Sequence, residues 1–320
     1  MTAITLEQAA QILREHDNYL VLMHKSPDGD AVGSAYALCR ALRSIGKKAN
    51  PLCGDEIPES YFFITDGFEI QDFAPEYIIS VDLATADLLS GTAKDYADRI
   101  DLCIDHHGSN TGYAKLSAVD GKSPSCAEII KKLIDVMGIK ADREIADAIF
   151  TGVCTDTGCF KYSSVRPETH RIAADLMDCG ARSAMICRLM FDSKSPAKLD
   201  MERRVLDTLE YAAGGKIAFI CISREIMERS GATQGDTEGV ASIPRQIEGV
   251  RVGITMKEKE NGEYRFSVRA DDDTDASEIC RKFGGGGHRA AAGCSIYADS
   301  PEKAKDLMIA ACIEAIGEDS

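Results

Sequence analysis

Short apolar runs recur along the first half of the chain, each closed by polar residues: YLVLM at 19–23, YIISV at 77–81 and LCI at 102–104. Unbroken apolar runs of this length suit strands buried on both faces. Between them the period changes. Val32, Ala35, Cys39, Leu42 and Ile45 fall on one helical face, and helical spacing recurs at Ser125–Met137, Arg143–Val153 and Pro167–Cys179. Thr5 and Gln8 have the spacing of a capping box that opens an amphipathic helix. Strands alternating with helices predict an α/β fold with a mainly parallel sheet. In that architecture ligands bind beyond the carboxyl ends of the strands.

Near Ser195 the pattern changes. Ser195-Pro196 is a cap and first-turn pair, and a charged helix follows with Leu199, Leu206 and Leu209 along one side as far as Gly214-Gly215. A smaller α+β unit comes next: strand Lys216–Ile222, helix Glu238–Ile247, strands near Val250–Met256 and Tyr264–Ala270, a glycine cluster, then a final strand and helix. The expected organisation is a first domain over 1–190, a helical linker over 191–214 and a second domain over 215–320.

Composition narrows the class. With 320 residues, 44% of them hydrophobic, there is enough chain for two cores. No apolar run approaches the ~18 residues of a membrane span. MTAITLEQAAQILREH has neither a basic nor an apolar signal region, so a cytoplasmic protein without membrane contact is expected. The 12 cysteines include no CxxC pair and read as free thiols; Cys154 and Cys159 are taken as packing residues rather than zinc ligands. A net charge of −15 argues against a broad basic face for long nucleic acid. A small anionic substrate held by a few arginines and metal ions remains compatible with it.

Four polar spots carry candidate chemistry: His24, Asp28 and Asp30 in HKSPDGDAVGS; Asp82 after IISV; Asp105-His106-His107 after LCI; and Asp156 in TGVCTDTGCF. Taken singly, each has a bland reading, because aspartate caps helices and fills turns. Three of the spots close apolar strands, however, so a parallel sheet would gather them on one edge. Five carboxylates and three histidines there would repel or trap protons unless cations joined them. Carboxylate and imidazole donors suit Mn²⁺, Mg²⁺ or Fe²⁺. So many donors point to two ions, which would lower the pKa of a shared water for attack at phosphorus. Gly29 is expected to let the chain bend between Asp28 and Asp30.

HKSPDGDAVGS, VDLA, DHHGSN and TDTG resemble, in order and spacing, the four motifs of the DHH phosphoesterases. GGGGHRAAAG at 284–293 is similar to the signature of the DHH-associated C-terminal domain, so the resemblance spans essentially the whole chain. It implies two α/β lobes with substrate between them. It also implies one Mn²⁺ on His24 and Asp28, a second on Asp30, His106 and Asp156, and Asp82 as the bridge; Mg²⁺ or Fe²⁺ are alternative ions. His107 would contact the scissile phosphate or help the leaving group, with Asp105 orienting a histidine. Gly285, Gly286, Gly287, His288, Arg289 and Arg269 would bind substrate, and Arg245 is a weaker candidate. Ala290-Ala291 and SPSCAE at 123–128 depart slightly from the family pattern and leave substrate preference open. The nearest group is the NrnA-like one, whose members act on short RNA oligonucleotides and on pAp, and a homodimer is common in it. Two alternatives stand beside that expectation: a phosphodiesterase for cyclic or linear dinucleotides, and a nucleotide-binding module that has lost catalysis.

Overall fold

A computed structural model describes residues 2–237 and 239–317, which form two compact units that divide between Ser193 and Lys194. Six strands make the sheet of the first unit: β1 (Thr2–Ala3), β2 (Tyr19–Leu22), β3 (Ala49–Leu52), β4 (Tyr77–Val81), β5 (Leu102–Asp105) and β6 (Leu116–Val119). Their order is β1-β6-β5-β4-β2-β3, and every neighbouring pair is parallel. The apolar runs are continuous because both faces are covered. Tyr19 and Val21 face a core built with helices α1 (Leu6–Glu15), α2 (Gly29–Ser44), α4 (Cys126–Val136) and α5 (Arg143–Asp156), while Leu20 and Leu22 join Ile78, Leu83, Leu89 and Ala93 on the other side. Short α3 (Phe62–Thr65), α6 (Pro167–Asp178) and α7 (Ser183–Cys187) complete the unit.

Thr5 caps α1 through the capping box read from its spacing. α2 differs from the expected one-sided helix. It is buried on almost all sides, because α4 and α5 cover the face turned away from the sheet, and Ile45 lies past its end, 40% exposed. From β2 the chain moves to β3 on one side and then returns to β4 on the other. The carboxyl ends of β2 and β4 therefore flank the switch point where open α/β sheets form their crevice.

The second unit has α8 (Pro196–Leu206), β7 (Glu210–Ala212), β8 (Ile217–Ile222), α9 (Arg224–Ser230), β9 (Val252–Glu258), β10 (Glu263–Ala270), α10 (Ala276–Arg281), β11 (Gly286–His288), β12 (Ala291–Tyr297) and α11 (Pro301–Ile316). Its sheet runs β11-β12-β10-β9-β8-β7, antiparallel except for β8 with β9. α10 and α11 pack on one face, and α8 and α9 on the other. Two expectations change here. The helix expected to reach Gly214-Gly215 ends at Leu206, because Glu210–Ala212 pairs with β8 as an edge strand. The helix expected over Glu238–Ile247 is a pair of 3₁₀ turns, Val240–Ser242 and Pro244–Gln246; Pro244 denies an α-helix its N–H, and Glu238 lies outside the described residues. Among the described residues no helix is long and apolar enough to cross a membrane.

Candidate active site

The carboxyl ends of β2, β4 and β5 deliver His24, Asp82 and Asp105 to His107; α2 begins with Asp28 and Asp30, and α5 ends on Asp156. All eight side chains come together in the first unit. His24, Asp28, Asp82, His106, His107 and Asp156 line a hollow of about 250 Å³ with Leu88, and Asp30 and Asp105 lie buried behind it.

Each histidine is pinned at Nδ1. That atom of His24 is 2.8 Å from the Lys25 carbonyl, that of His106 is 3.2 Å from the Ser123 carbonyl, and that of His107 is 2.7 Å from Asp105 Oδ1. Since all three partners only accept, each Nδ1 carries a hydrogen; in His24 and His106 this leaves Nε2 as the free donor atom, the arrangement usual for ligating histidines. His24 Nε2 is 3.8 Å from Asp28 Oδ1 and 3.6 Å from Asp82 Oδ2. His106 Nε2 is 3.8 Å from Asp30 Oδ2, 3.3 Å from Asp82 Oδ1 and 3.2 Å from Asp156 Oδ2.

The carboxylates are held as firmly. Asp28 Oδ1 accepts from the Asp30 and Ala31 N–H groups, both at 3.0 Å, so it caps α2 while facing His24. Asp30 is fully buried and accepts from the N–H groups of Cys126 at 2.6 Å and Ala127 at 2.8 Å, the first turn of α4. That helix end favours a negative charge. Asp82 has φ 52°, a left-handed backbone that aspartate tolerates better than most residues. Asp105 accepts from the His106 N–H at 2.8 Å through Oδ1 and from Asn110 Nδ2 at 2.6 Å through Oδ2. Gly29 has a different reason from the one expected. It opens α2 rather than bending the chain, and a Cβ there would lie 2.5 Å from Thr155 Oγ1.

Charge in the cluster is badly matched to an ion-free state. Burial works against a charged His24, but Asp28 and Asp82 outweigh it and carry its pKa to about 11. Burial opposes and Asp82, then Asp30, raise His106 to about 10. Burial, then the charges of Asp82 and Asp156, push Asp30 well above the carboxylate range. Asp156 rises to about 7 through burial, then Asp82 and Asp28. Asp82 is the exception: burial is outweighed by His106 and His24, and its pKa is lowered. Asp82 Oδ1 is also buried without an aligned hydrogen bond, facing the lone-pair nitrogen of His106. Two lone pairs at 3.3 Å need a proton or a cation between them.

The donor atoms fit cations. His24, Asp28 and Asp82 form one group within 4.8 Å, and Asp30, His106 and Asp156 form another, with Asp82 also grouped with His106 and His107. Oxygen and imidazole donors of this kind match hard or borderline divalent ions.

In the second unit, strand register sets Gly253, Arg269, Ala291 and His288 side by side across four strands. Residues in one rung share a face. Small Ala291 leaves room between Arg269 and His288, and the Arg245 backbone sits over Gly253, 2.7 Å from where a Cβ would be. Arg245 Nε is buried without a hydrogen bond. Arg289 is turned elsewhere, donating to the Asp272 carbonyl at 2.9 and 3.2 Å. Gly285 and Gly287 are required by their own sheet, because a Cβ at either would strike β12; of the three candidate glycines, Gly286 alone faces open space.

The family model of the DHH N-terminal domain matches residues 18–153, which hold every residue of the cluster except Asp156. The DHHA1 domain model matches residues 214–318. A bifunctional oligoribonuclease and PAP phosphatase, NrnA, of Thermus thermophilus is 30% identical over 302 residues, 92% of this chain and 89% of the relative. The chain belongs to the DHH family. Among solved structures, an exopolyphosphatase-related protein from Bacteroides fragilis shares the fold of this DHH protein at TM-score 0.88 and 24% identity, covering 97% of this chain and 95% of the other. RecJ of Thermus thermophilus, solved with Mn²⁺, matches at TM-score 0.58 and 16% identity; this DHH chain covers 54% of it. Membership makes the chain a phosphoester hydrolase.

Some supporting groups of this DHH site escape a reading of single motifs. The Ser123 carbonyl and the Cys126 and Ala127 N–H groups lie in SPSCAE, far from Asp30 in sequence. Asn110 ends the DHHGSN motif and orients Asp105.

Proposed function

We propose that the protein hydrolyses short RNA oligonucleotides to nucleoside monophosphates and pAp to AMP. The observation that carries this is the pair of donor groups joined at Asp82, whose buried Oδ1 lacks an aligned donor. The substrate class rests on the similarity to the NrnA relative. His24, Asp28 and Asp82 would hold one divalent cation, and Asp30, His106 and Asp156 the other, with Asp82 between them. Two Mn²⁺ ions there would supply an acidified water and positive charge against the phosphoryl oxygens.

The chain's own groups do the rest. Asp105 raises the pKa of His107 against burial and accepts from its Nδ1–H, so the acid form of His107 would carry its second proton on Nε2, toward the hollow. That nitrogen donates to a phosphoryl oxygen and gives its proton to the departing oxygen, leaving neutral imidazole. A hollow of about 250 Å³ takes a phosphoryl group but not the rest of an oligonucleotide. In the second unit, Arg269 and Arg245 would offer positive charge to substrate phosphate. All 12 cysteines are free, which suits a reducing cytoplasm.

The test is Mn²⁺-dependent hydrolysis of a 5′-labelled RNA ladder from two to about ten nucleotides, with pAp and a cyclic dinucleotide alongside. The expected result is mononucleotide release from the shortest RNAs together with AMP from pAp. No mononucleotide release, or turnover of the cyclic dinucleotide alone, overturns the assignment.

A further inference from the structure

Three sulfurs meet near the end of α5. Cys187 Sγ lies 3.7 Å from Cys154 Sγ and 3.8 Å from Cys159 Sγ, and all three sulfurs are within 4.8 Å of one another. Cys154 is in the last turn of α5, Cys159 is in the turn that follows, and Cys187 ends α7. We propose that Cys154, Cys159 and Cys187 form a second metal site, separate from the carboxylate and histidine cluster, that takes a thiophilic divalent cation of the Zn²⁺ class. This revises the reading of Cys154 and Cys159 as packing residues.

Distance is the first argument. Zinc binds thiolate at about 2.3 Å in a tetrahedron, whose edge is then about 3.8 Å. The two sulfur separations match that edge. A disulfide would need about 2.05 Å.

Backbone cost is the second. Gly158, Cys159 and Phe160 all have positive φ, at 55°, 58° and 62°. Two non-glycine residues in that region carry a steric cost. This left-handed turn brings Cys159 back against Cys187, and contact between neutral thiols offsets little of that cost, whereas metal–thiolate bonds offset it readily. Immediately after Cys187 the helix widens into a π-helical turn, Arg188–Asp192, a rare form that gathers at functional sites. A water would complete the tetrahedron as the fourth ligand.

Donor chemistry separates the two sites. Three thiols select zinc-like ions, and the oxygen and imidazole cluster suits Mn²⁺ or Mg²⁺. On binding, three S–H bonds break, three S–metal bonds form and three protons leave to water. Because Asp156 lies between Cys154 and Cys159 in the chain, the ion would pin the end of α5 that presents this carboxylate.

Zinc content decides the matter. Full-length Asp82→Ala protein, which lacks the carboxylate shared by the two proposed ion positions, is loaded with Zn²⁺ under reducing conditions, gel-filtered and assayed by mass spectrometry of the metal. The same background carries Cys159→Ser, Cys187→Ser or, as a control, Cys179→Ser. One retained zinc in Asp82→Ala and in the Cys179→Ser control, lost in the other two, supports the site. No retained zinc in Asp82→Ala, or equal zinc in all four, overturns it. Should a serine variant fail to fold, alkylation of Cys159 and Cys187 in the unmutated protein serves instead. At least tenfold protection by Zn²⁺ is expected, and equal rates with and without the ion refute the proposal.

Discussion

Replacing Asp105 by Asn tests the role given to His107 without touching a proposed metal ligand. Asn110 cannot adapt to the change: its Oδ1 accepts from the Gly112 N–H at 2.9 Å, and its Nδ2 also donates to the Leu83 carbonyl at 3.2 Å. Its amide donor must therefore keep pointing at residue 105. If the new amide turns its oxygen to Asn110, its NH₂ faces the N–H of His106 and the Nδ1 of His107. If it turns its oxygen to the histidines, two NH₂ groups oppose each other at the present 2.6 Å separation. Either way a hydrogen bond to a charged acceptor is lost, worth ~1.5–3 kcal/mol. At about 1.4 kcal/mol per factor of ten, kcat should fall roughly 10- to 100-fold. The pH profile sharpens the test. Asp105 is the first cause of the raised His107 pKa, so its loss lowers that pKa. His107 then loses its proton at lower pH, and the alkaline limb of kcat moves down in pH. The assay is kcat on a dinucleotide across pH with saturating Mn²⁺, with metal content and melting temperature as controls. An unmoved alkaline limb with unchanged kcat would refute the role of His107.

Four further perturbations address other parts of the site. Asp82→Ala should release both ions and reduce turnover by at least about 10²-fold, since even groups behind metal ligands are worth about 10–100-fold; unchanged metal stoichiometry by titration calorimetry counts against the shared carboxylate. Gly152→Ala would place a methyl 2.6 Å from Asp30 Oδ1 and 2.5 Å from the Ala127 Cβ. Overpacking of that kind costs about 1–3 kcal/mol, readable by denaturant unfolding, and Mn²⁺ affinity should fall with it. Arg269→Ala should raise KM for RNA and pAp while sparing a generic phosphodiester; equal loss on both would remove Arg269 from substrate selection. In chelator, Asp156 is a carboxylate with folded pKa raised to about 7. Its contribution is therefore full below the unfolded value near 3.9 and is lost as pH rises through 7. Asp156→Asn should then melt above the unmutated protein at pH 8 but not at pH 4, and Mn²⁺ should reverse the pH 8 order.

Features written locally were legible in the chain. YLVLM, YIISV and LCI form buried parallel strands, and the polar residues that close them do gather at one edge. Features that depend on distant packing were not. Leu209 continues the apolar spacing of α8, yet pairing with β8 turns the next residues into an edge strand. The donors that anchor Asp30 come from a helix 96 residues away, and nothing in HKSPDGDAVGS points to them. Cys187 has no motif at all, and only the packing of α7 against α5 brings it to Cys154.

Asp28 shows why cap and ligand are poor alternatives when reading such a motif. A helix N-cap must lie outside the helix with its carboxylate turned back toward free N–H groups, and those donors fix the carboxylate's position. One oxygen, Oδ1, takes both N–H groups and still lies 3.8 Å from His24 Nε2, leaving the second oxygen uncommitted among the described residues. The cap therefore fixes a carboxylate in advance for a cation, removing an ordering cost of the kind that flexible side chains carry. Asp30 is fixed in the same way, by the first N–H groups of α4 rather than of its own helix. A turn rich in aspartate between a buried strand and a helix thus gains its chemical use from the residues that make it a good helix start. What separates a ligand from a mere cap is the set of atoms that face it, here the Nε2 atoms of His24 and His106.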